Sequence, residues 1–114
     1  MKVLVAGAAS QVGCRLVRQL LYRNYQVRGT ILPGDPYLER LAGLDLELAE
    51  GNLTDSSYVQ QVVEEVEAVI HTANIGDQFR NNVESNRLVA LACREQADVL
   101  DRYIYVSSSG VFPT

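Results

Sequence analysis

The chain has 114 residues, of which 47% are hydrophobic and 21% are charged, and its formal net charge is −4. This length suits one compact domain, and the scattered arginines form no concentrated basic stretch, so we expect no nucleic-acid partner. No stretch reaches the ~20 apolar residues of a membrane span, and the short apolar run at the N-terminus is not typical of a signal peptide, so we expect no membrane contact. Two cysteines without metal-type spacing indicate reduced thiols in a cytoplasmic protein, and we expect no metal site.

Apolar runs alternate with helical periodicities along the whole sequence. The run Lys2–Ala6 predicts a strand buried on both faces, and the apolar spacing in Gln11–Tyr22 predicts the helix that follows it. The same patterns predict, in chain order, a strand over 25–32, a helix over 37–44, a strand over 45–51, a helix over 54–66, a strand over 67–73, a helix over 79–96 and a strand over 102–106. This alternation predicts an α/β fold with a parallel sheet and helices on both of its faces.

The first strand–helix junction reads VAGAASQVG and carries the clearest motif. Gly7 and Gly13 take the outer positions of a G-x-x-G-x-x-G loop. Gly7 allows a tight turn, and Gly13 lets the helix approach the strand, so that N–H groups at the helix start can face a pyrophosphate. Ser10 stands at the middle position, where its hydroxyl can cap the helix, bind a phosphate oxygen or crowd the site. Two glycines around a turn can also serve packing alone, but the flanking strand and helix favour nucleotide binding.

Five motifs in chain order cover nearly the whole chain and resemble a known family. VAGAASQVG resembles T-G-x-x-G-x-x-G, and EGNLTD resembles E-G-D-L-T-D. AVIHTAN, NNVESNRLVALA and YVSSSGVF resemble A-V-I-H-x-A-A, N-V-x-G-T-x-x-L-L-x-A and Y-x-S-S-x-x-V-Y. These are motifs of the N-terminal portion of the extended short-chain dehydrogenase/reductases, the NAD-dependent epimerase/dehydratase family. The resemblance implies a Rossmann-type NAD(P)-binding domain over residues 1–114, with five strands in the order 3-2-1-4-5, truncated after strand five and without the later strands and substrate region.

The resemblance also implies an NAD or NADP cofactor at the carboxyl ends of the strands. The residues expected to contact it are Gly7, Ala9, Ser10, Gln11, Val12, Gly13, Leu32, Asn52, Leu53, Thr72, Ala73 and Asn74. Asn52 would bond the adenine edge and Leu53 would pack on its face, although an asparagine after a strand is also a good turn former. Ile31 and Leu32 stand where relatives carry an acid for the ribose or an arginine for a 2′-phosphate, so the sequence favours neither NAD nor NADP.

The serine-rich stretch near the C-terminus is similar to the family's catalytic serine strand. This similarity places Ser108 at the catalytic Ser/Thr, which would hydrogen-bond the substrate oxygen, with Ser109 as the second choice. Hydroxyls at a strand end can instead cap stray backbone groups. His71, the one histidine, is interpreted as a hydrogen-bonded structural residue. The family's Tyr-x-x-x-Lys acid/base pair does not occur in these 114 residues, because Lys2 is their single lysine.

The resemblance implies an intact enzyme that acts by hydride transfer on a nucleotide sugar or a related hydroxyl or carbonyl substrate. In it, the present chain would supply the dinucleotide-binding half and would be inactive alone. Two alternatives stay open: a non-catalytic NmrA-like dinucleotide-binding regulator, and a structural remnant without ligand. The serine strand favours the enzyme, and the departures at Ser10 and Asn52 favour the regulator. An uncovered fifth strand further predicts edge-strand association or a homo-oligomer.

Overall fold

The centre of the fold is a parallel sheet of five strands in the order β3-β2-β1-β4-β5. The computed structural model describes residues 2–72, 87–92 and 102–105. The strands are β1 (Lys2–Ala6), β2 (Gln26–Ile31), β3 (Glu47–Glu50), β4 (Ala68–His71) and β5 (Arg102–Tyr105). All four pairings are parallel. The predicted Rossmann-type sheet and its strand order are therefore confirmed.

Helices connect these strands. They are α1 (Gln11–Tyr22), a short 3-10 helix (Leu38–Leu41), α2 (Ser56–Val62) and the helical residues 87–92. The helix predicted over 37–44 is thus a single 3-10 turn, because the backbone of Ala42 is extended and Gly43 has a φ of 78°. The helix predicted over 54–66 is also shorter, since Glu65 takes a φ of 65° that a helix does not allow. Within the described ranges, no helix has the length and apolar content that crossing a membrane requires.

Strand β1 forms the centre of the core because both of its faces are covered. Val3 and Val5 pack on the α1 side with Val17 of that helix. Leu4 and Ala6 pack on the opposite side, where the cluster includes Val59, Val62 and Val63 of the α2 region together with Val89 and Ala92. Two-sided burial explains why the sequence of β1 is a continuous apolar run rather than an alternating one.

The strand order also determines where a ligand can bind. β2 lies on one side of β1, and β4 lies on the other side. The connection from β1 to β2 therefore runs in the opposite direction across the sheet from the connection that leads to β4. In open α/β sheets, the crevice at the carboxyl ends of the strands beside such a reversal is the usual ligand site. The loop after β1 and Thr72, which follows β4, lie at this crevice.

Candidate functional site

The loop between β1 and α1 is fixed by hydrogen bonds to β2. Gly7 follows β1 with a φ of 85°, a conformation that glycine adopts without strain. Its N–H donates to Oγ1 of Thr30 over 2.8 Å, and the N–H of Ala8 donates to the Thr30 carbonyl oxygen over 3.0 Å. Thr30 is buried next to the end of β2. These bonds hold the loop against the carboxyl end of that strand.

Ser10 closes the loop and begins the helix. It is the N-cap of α1, and its Oγ accepts a hydrogen bond of 2.9 Å from the N–H of Gly13. The same Oγ donates to the carbonyl oxygen of Gly7 over 2.8 Å, and the Ser10 carbonyl oxygen accepts from the N–H of Cys14. Capping was one of three roles predicted for this serine, and it is the role that the structure shows.

Gly13 allows α1 to pack closely on the loop. A Cβ built at this position would overlap the carbonyl oxygen of Gly7 and would lie 2.9 Å from Oγ of Ser10. The close approach predicted for this glycine is therefore confirmed. Gln11 and Val12, which precede the capped residue, are exposed at the helix start. The N–H groups of a first helical turn point out of the helix, where they can bind an anion.

Thr72 connects β4 to the same loop. It directly follows β4, is 5% exposed, and lies with its Oγ1 3.5 Å from Oγ of Ser10. Its Oγ1 has two acceptors in reach, the carbonyl oxygens of Ala6 at 2.7 Å and Gly7 at 3.2 Å. The structure thus brings together the glycine-rich loop and Thr72, as the sequence predicts. The predicted cofactor residues Ala73 and Asn74 and the predicted catalytic Ser108 lie outside the described residues.

The ends of β2 and β3 are also close together. The N–H of Gly51, after β3, donates to the carbonyl oxygen of Ile31 at the end of β2. Asn52 uses its side-chain oxygen within a turn, where it accepts from the N–H of Thr54 at 2.9 Å and from its hydroxyl at 2.8 Å. This is the turn-forming alternative to adenine binding. Leu53 is buried in the core beside α2, so its predicted packing against adenine stays a prediction.

The turn that follows β2 contains an acidic residue, Asp35. Leu32 is 38% exposed, and its N–H donates to Oδ2 of Asp35 over 3.3 Å. The other carboxylate oxygen of Asp35 accepts from the N–H of Tyr37 over 3.0 Å. Asp35 therefore stabilises its own turn, which is a structural use of an acid that could otherwise bind a ribose.

Sequence reasoning missed two residues that shape the site. Thr30 anchors Gly7 from β2, and Arg40 donates from Nη1 to the carbonyl oxygen of Ala9 over 3.1 Å. Ala9 itself is buried in the loop. A threonine in a strand is ordinary, and an arginine beside a turn is ordinary too, so neither residue carried a local signal.

His71 is fully buried as the last residue of β4. Burial lowers the pKa of its imidazole to about 4, so the side chain is neutral at physiological pH. A buried neutral imidazole fits the structural role predicted for it. Within the described residues, no group of three or more His, Cys, Asp or Glu side chains could hold a metal ion.

Comparison with known proteins agrees with this geometry. The family described as the NAD dependent epimerase/dehydratase family matches residues 3–114. The match covers nearly the whole chain, including the capped glycine-rich loop and the residues after β4. The chain therefore belongs to the NAD-dependent epimerase/dehydratase family.

The chain is also similar to individual proteins, of which three are described. Sterol demethylase protein B of Methylococcus capsulatus is 34% identical over 96% of this chain and 35% of its own length. Cinnamoyl-CoA reductase 2 of Medicago truncatula is 34% identical over 95% of this chain and 35% of its own. A short-chain dehydrogenase/reductase superfamily protein of Agrobacterium tumefaciens, solved with bound NAD, superposes with a TM-score of 0.78 at 28% identity, over 99% of this chain and 34% of its own. The chain thus spans about a third of the length of these relatives.

Proposed function

We propose that this chain is the NAD(P)-binding half of an oxidoreductase, epimerase or dehydratase that works by hydride transfer. The observation that carries the proposal is the loop between β1 and α1, closed by Ser10 and packed on Gly13. The loop lies at the sheet reversal, and α1 begins there. Family membership over residues 3–114 supports the same conclusion. The cofactor is NAD or NADP.

The residues of the loop fit a dinucleotide. The hydroxyl of Ser10 is bonded to Gly7 and Gly13, so it is held within the loop rather than placed across the path of a phosphate. Gly7 supplies the tight turn, and the N–H groups of Gln11 and Val12 lie at the positive end of the 12-residue helix α1. Backbone N–H groups at a helix start are the donors that a pyrophosphate needs.

The sequence also suggests which steps of the reaction the residues of this chain would support in the whole protein. When bound, the nicotinamide would accept or supply the hydride, and the residues of this chain would bind and orient it. Ser108 would hydrogen-bond the substrate oxygen, as the family resemblance implies. Because Tyr-x-x-x-Lys does not occur in these 114 residues, we propose that the chain alone binds the cofactor without turnover.

The proposed substrate is a compound with a hydroxyl or carbonyl group, such as a nucleotide sugar or a related molecule. The names of the relatives support this chemistry, since one refers to a sterol and another to a cinnamoyl-CoA. The assignment of residues 1–114 to one domain, a cytoplasmic location and association through the edge strand belong to the same proposal. They rest on the sequence pattern alone.

Titration calorimetry of the chain with NAD+, NADP+, NADH and NADPH tests the cofactor half of the proposal. We expect binding of at least one of them, and loss of it in Gly7→Val, because a β-branched side chain does not fit the φ of 85° and would disrupt the phosphate loop. Gly43→Val is the matched control. Gly43 also has a positive φ, of 78°, but the space around it is open and it lies outside the loop. A folded chain that binds none of the four nucleotides would contradict the proposal, as would equal losses in both variants.

A further inference from the structure

We infer that Arg40 selects NADP over NAD by binding the 2′-phosphate of the adenosine ribose. The inference rests on the proposed function, because it requires the dinucleotide to lie along the glycine-rich loop. It goes beyond that function by naming which of the two cofactors this chain prefers and which side chain decides it.

Arg40 lies beside the glycine-rich loop. The guanidinium of Arg40 reaches from the 3-10 helix to the carbonyl oxygen of Ala9, which lies within the loop. Two neighbouring N–H groups, of Gly7 and Ala8, bond to Thr30 near the end of β2. The positive charge of Arg40 therefore stands where the loop meets the end of β2. In dinucleotide-binding sheets, this junction is where the 2′ position of the ribose is recognised.

Neighbouring residues hold the side chain of Arg40 in place. Its Cζ lies 4.2 Å from the centre of the Tyr37 ring, a cation–π contact. Arg18 of α1 donates from Nη2 to the carbonyl oxygen of Arg40 over 3.3 Å, which ties the 3-10 helix to α1. A guanidinium carries five N–H donors in a planar fork, and the bond to Ala9 uses one of them. The others suit a phosphate, which Arg binds in a bidentate manner.

The residues that follow β2 also leave room for a phosphate. Leu32, at the end of β2, is apolar and exposed, so it brings no charge that would repel a phosphate. Both carboxylate oxygens of Asp35 accept bonds from the backbone of the turn, from Leu32 and Tyr37. An acid that binds the ribose hydroxyls favours NAD. Asp35 instead bonds to the backbone of its own turn, so it is not placed to bind those hydroxyls.

Paired titrations with NADP+ and NAD+ test this inference. We expect the unmodified chain to bind NADP+ more tightly than NAD+. We expect Arg40→Gln to weaken NADP+ binding by roughly 10- to 100-fold, the loss typical of a charged hydrogen bond, and to change NAD+ binding by less than about twofold. Arg40→Lys should retain part of the preference, because it keeps the charge and loses the fork. Arg23→Gln is the control, since Arg23 is an exposed arginine at the far end of α1, and both affinities should stay unchanged.

The outcomes separate this inference from the proposed function. Tighter binding of NAD+ by the unmodified chain would overturn the inference and leave the function intact. An equal loss of NADP+ and NAD+ binding in Arg40→Gln would show that Arg40 only supports the loop. An unchanged ratio of the two affinities would show that Arg40 does not bind the 2′-phosphate. If a chain with a cooperative unfolding transition binds none of NAD+, NADP+, NADH and NADPH, both the proposed function and the inference are contradicted.

Discussion

Gly51 shows how one residue of a binding motif can be required by packing. A Cβ at this position would overlap the ring of Tyr58, which lies directly against the glycine. The hydroxyl of Tyr58 donates to the carbonyl oxygen of Ala49 over 2.6 Å. Burial, together with the charge of Glu50, raises the pKa of this phenol to about 12, so the hydroxyl keeps its proton. The glycine of the EGN turn thus lets α2 close on the end of β3.

This packing makes a prediction for Gly51→Ala. The added methyl group should push the Tyr58 ring aside and lower the free energy of unfolding by about 1–3 kcal/mol, the usual cost of overpacking. Urea denaturation measures the change. In a Tyr58→Ala background the ring is gone, so the same glycine substitution should cost clearly less. Equal costs in the two backgrounds would show that the ring is not the reason for the glycine.

At the scale of elements, Arg28 joins β2, β3 and α2 at the end of the sheet opposite the site. Its Nε forms an ion pair with Glu47 of β3. Its Nη1 donates to the carbonyl oxygens of Val62 and Glu64 over 2.8 Å each. Val62 is the last residue of α2, where backbone carbonyls have no partner within the helix. Arg28 therefore caps the C-terminus of α2 with a side chain from β2.

We predict that Arg28→Met destabilises the chain more than Glu47→Gln does. The methionine would leave the part-buried carbonyl of Val62 and the exposed carbonyl of Glu64 without their donor, at a cost of about 1–3 kcal/mol in the free energy of unfolding, mostly from Val62. Glu47 has a side chain that is 52% exposed, so the loss of its charge should cost less than about 1 kcal/mol. Thermal and urea denaturation of both variants give the comparison. Equal effects of the two substitutions would mean that the ion pair, which both of them remove, and not the cap holds these elements together.

The elements differ in how well their sequences predict them. β1 and α1 have the predicted bounds, because a buried strand and a long amphipathic helix are encoded by local periodicity. The segment 37–44, predicted as a helix, forms only the 3-10 helix Leu38–Leu41. The segment between Pro36 and Gly43 is too short to form a stable helix by itself, so tertiary contacts determine its conformation.

The candidate site shows the same division between local and long-range information. The cap at Ser10 is a local feature, since its partner Gly13 is three residues away. Thr30 bonds to Gly7, which is 23 residues away in the chain, and Arg40 bonds to Ala9, which is 31 residues away. Contacts at such separations depend on how the sheet and the 3-10 helix fold back, so a single sequence does not reveal them. The glycine pattern predicts a site, and the fold adds the contacts of Thr30 and Arg40 to the loop, which the pattern does not predict.

At the scale of the whole molecule, His71 makes stability depend on pH. Its imidazole is fully buried next to the site, and its pKa falls from the ordinary value of 6.5 to about 4. Between these two values the unfolded chain binds a proton that the folded chain does not bind. Stability therefore decreases as the pH falls from 6.5 to about 4, and His71 adds no further loss below that range.

We predict that this dependence is of the order of 3 kcal/mol in the free energy of unfolding. Urea denaturation at several pH values between 6.5 and 4 measures it. His71→Asn removes the titrating ring, so its stability should change less over the same range, even if the variant is less stable at neutral pH. The carboxylates are common to both proteins and serve as the internal control. Parallel curves for the two proteins would assign the pH dependence to those carboxylates instead.

The hydrogen bonds of the glycine-rich loop also determine when this loop can form during synthesis. The loop begins at Gly7, yet one of its contacts comes from Thr30 and another from Thr72, 65 residues further along the chain. A ribosome must release both strands that flank β1 before the loop has all of its partners. The loop therefore completes these contacts only after Thr72 has been translated, 65 residues after Gly7. A nucleotide that binds only the completed loop would act as a template that favours the closed sheet over partly assembled chains.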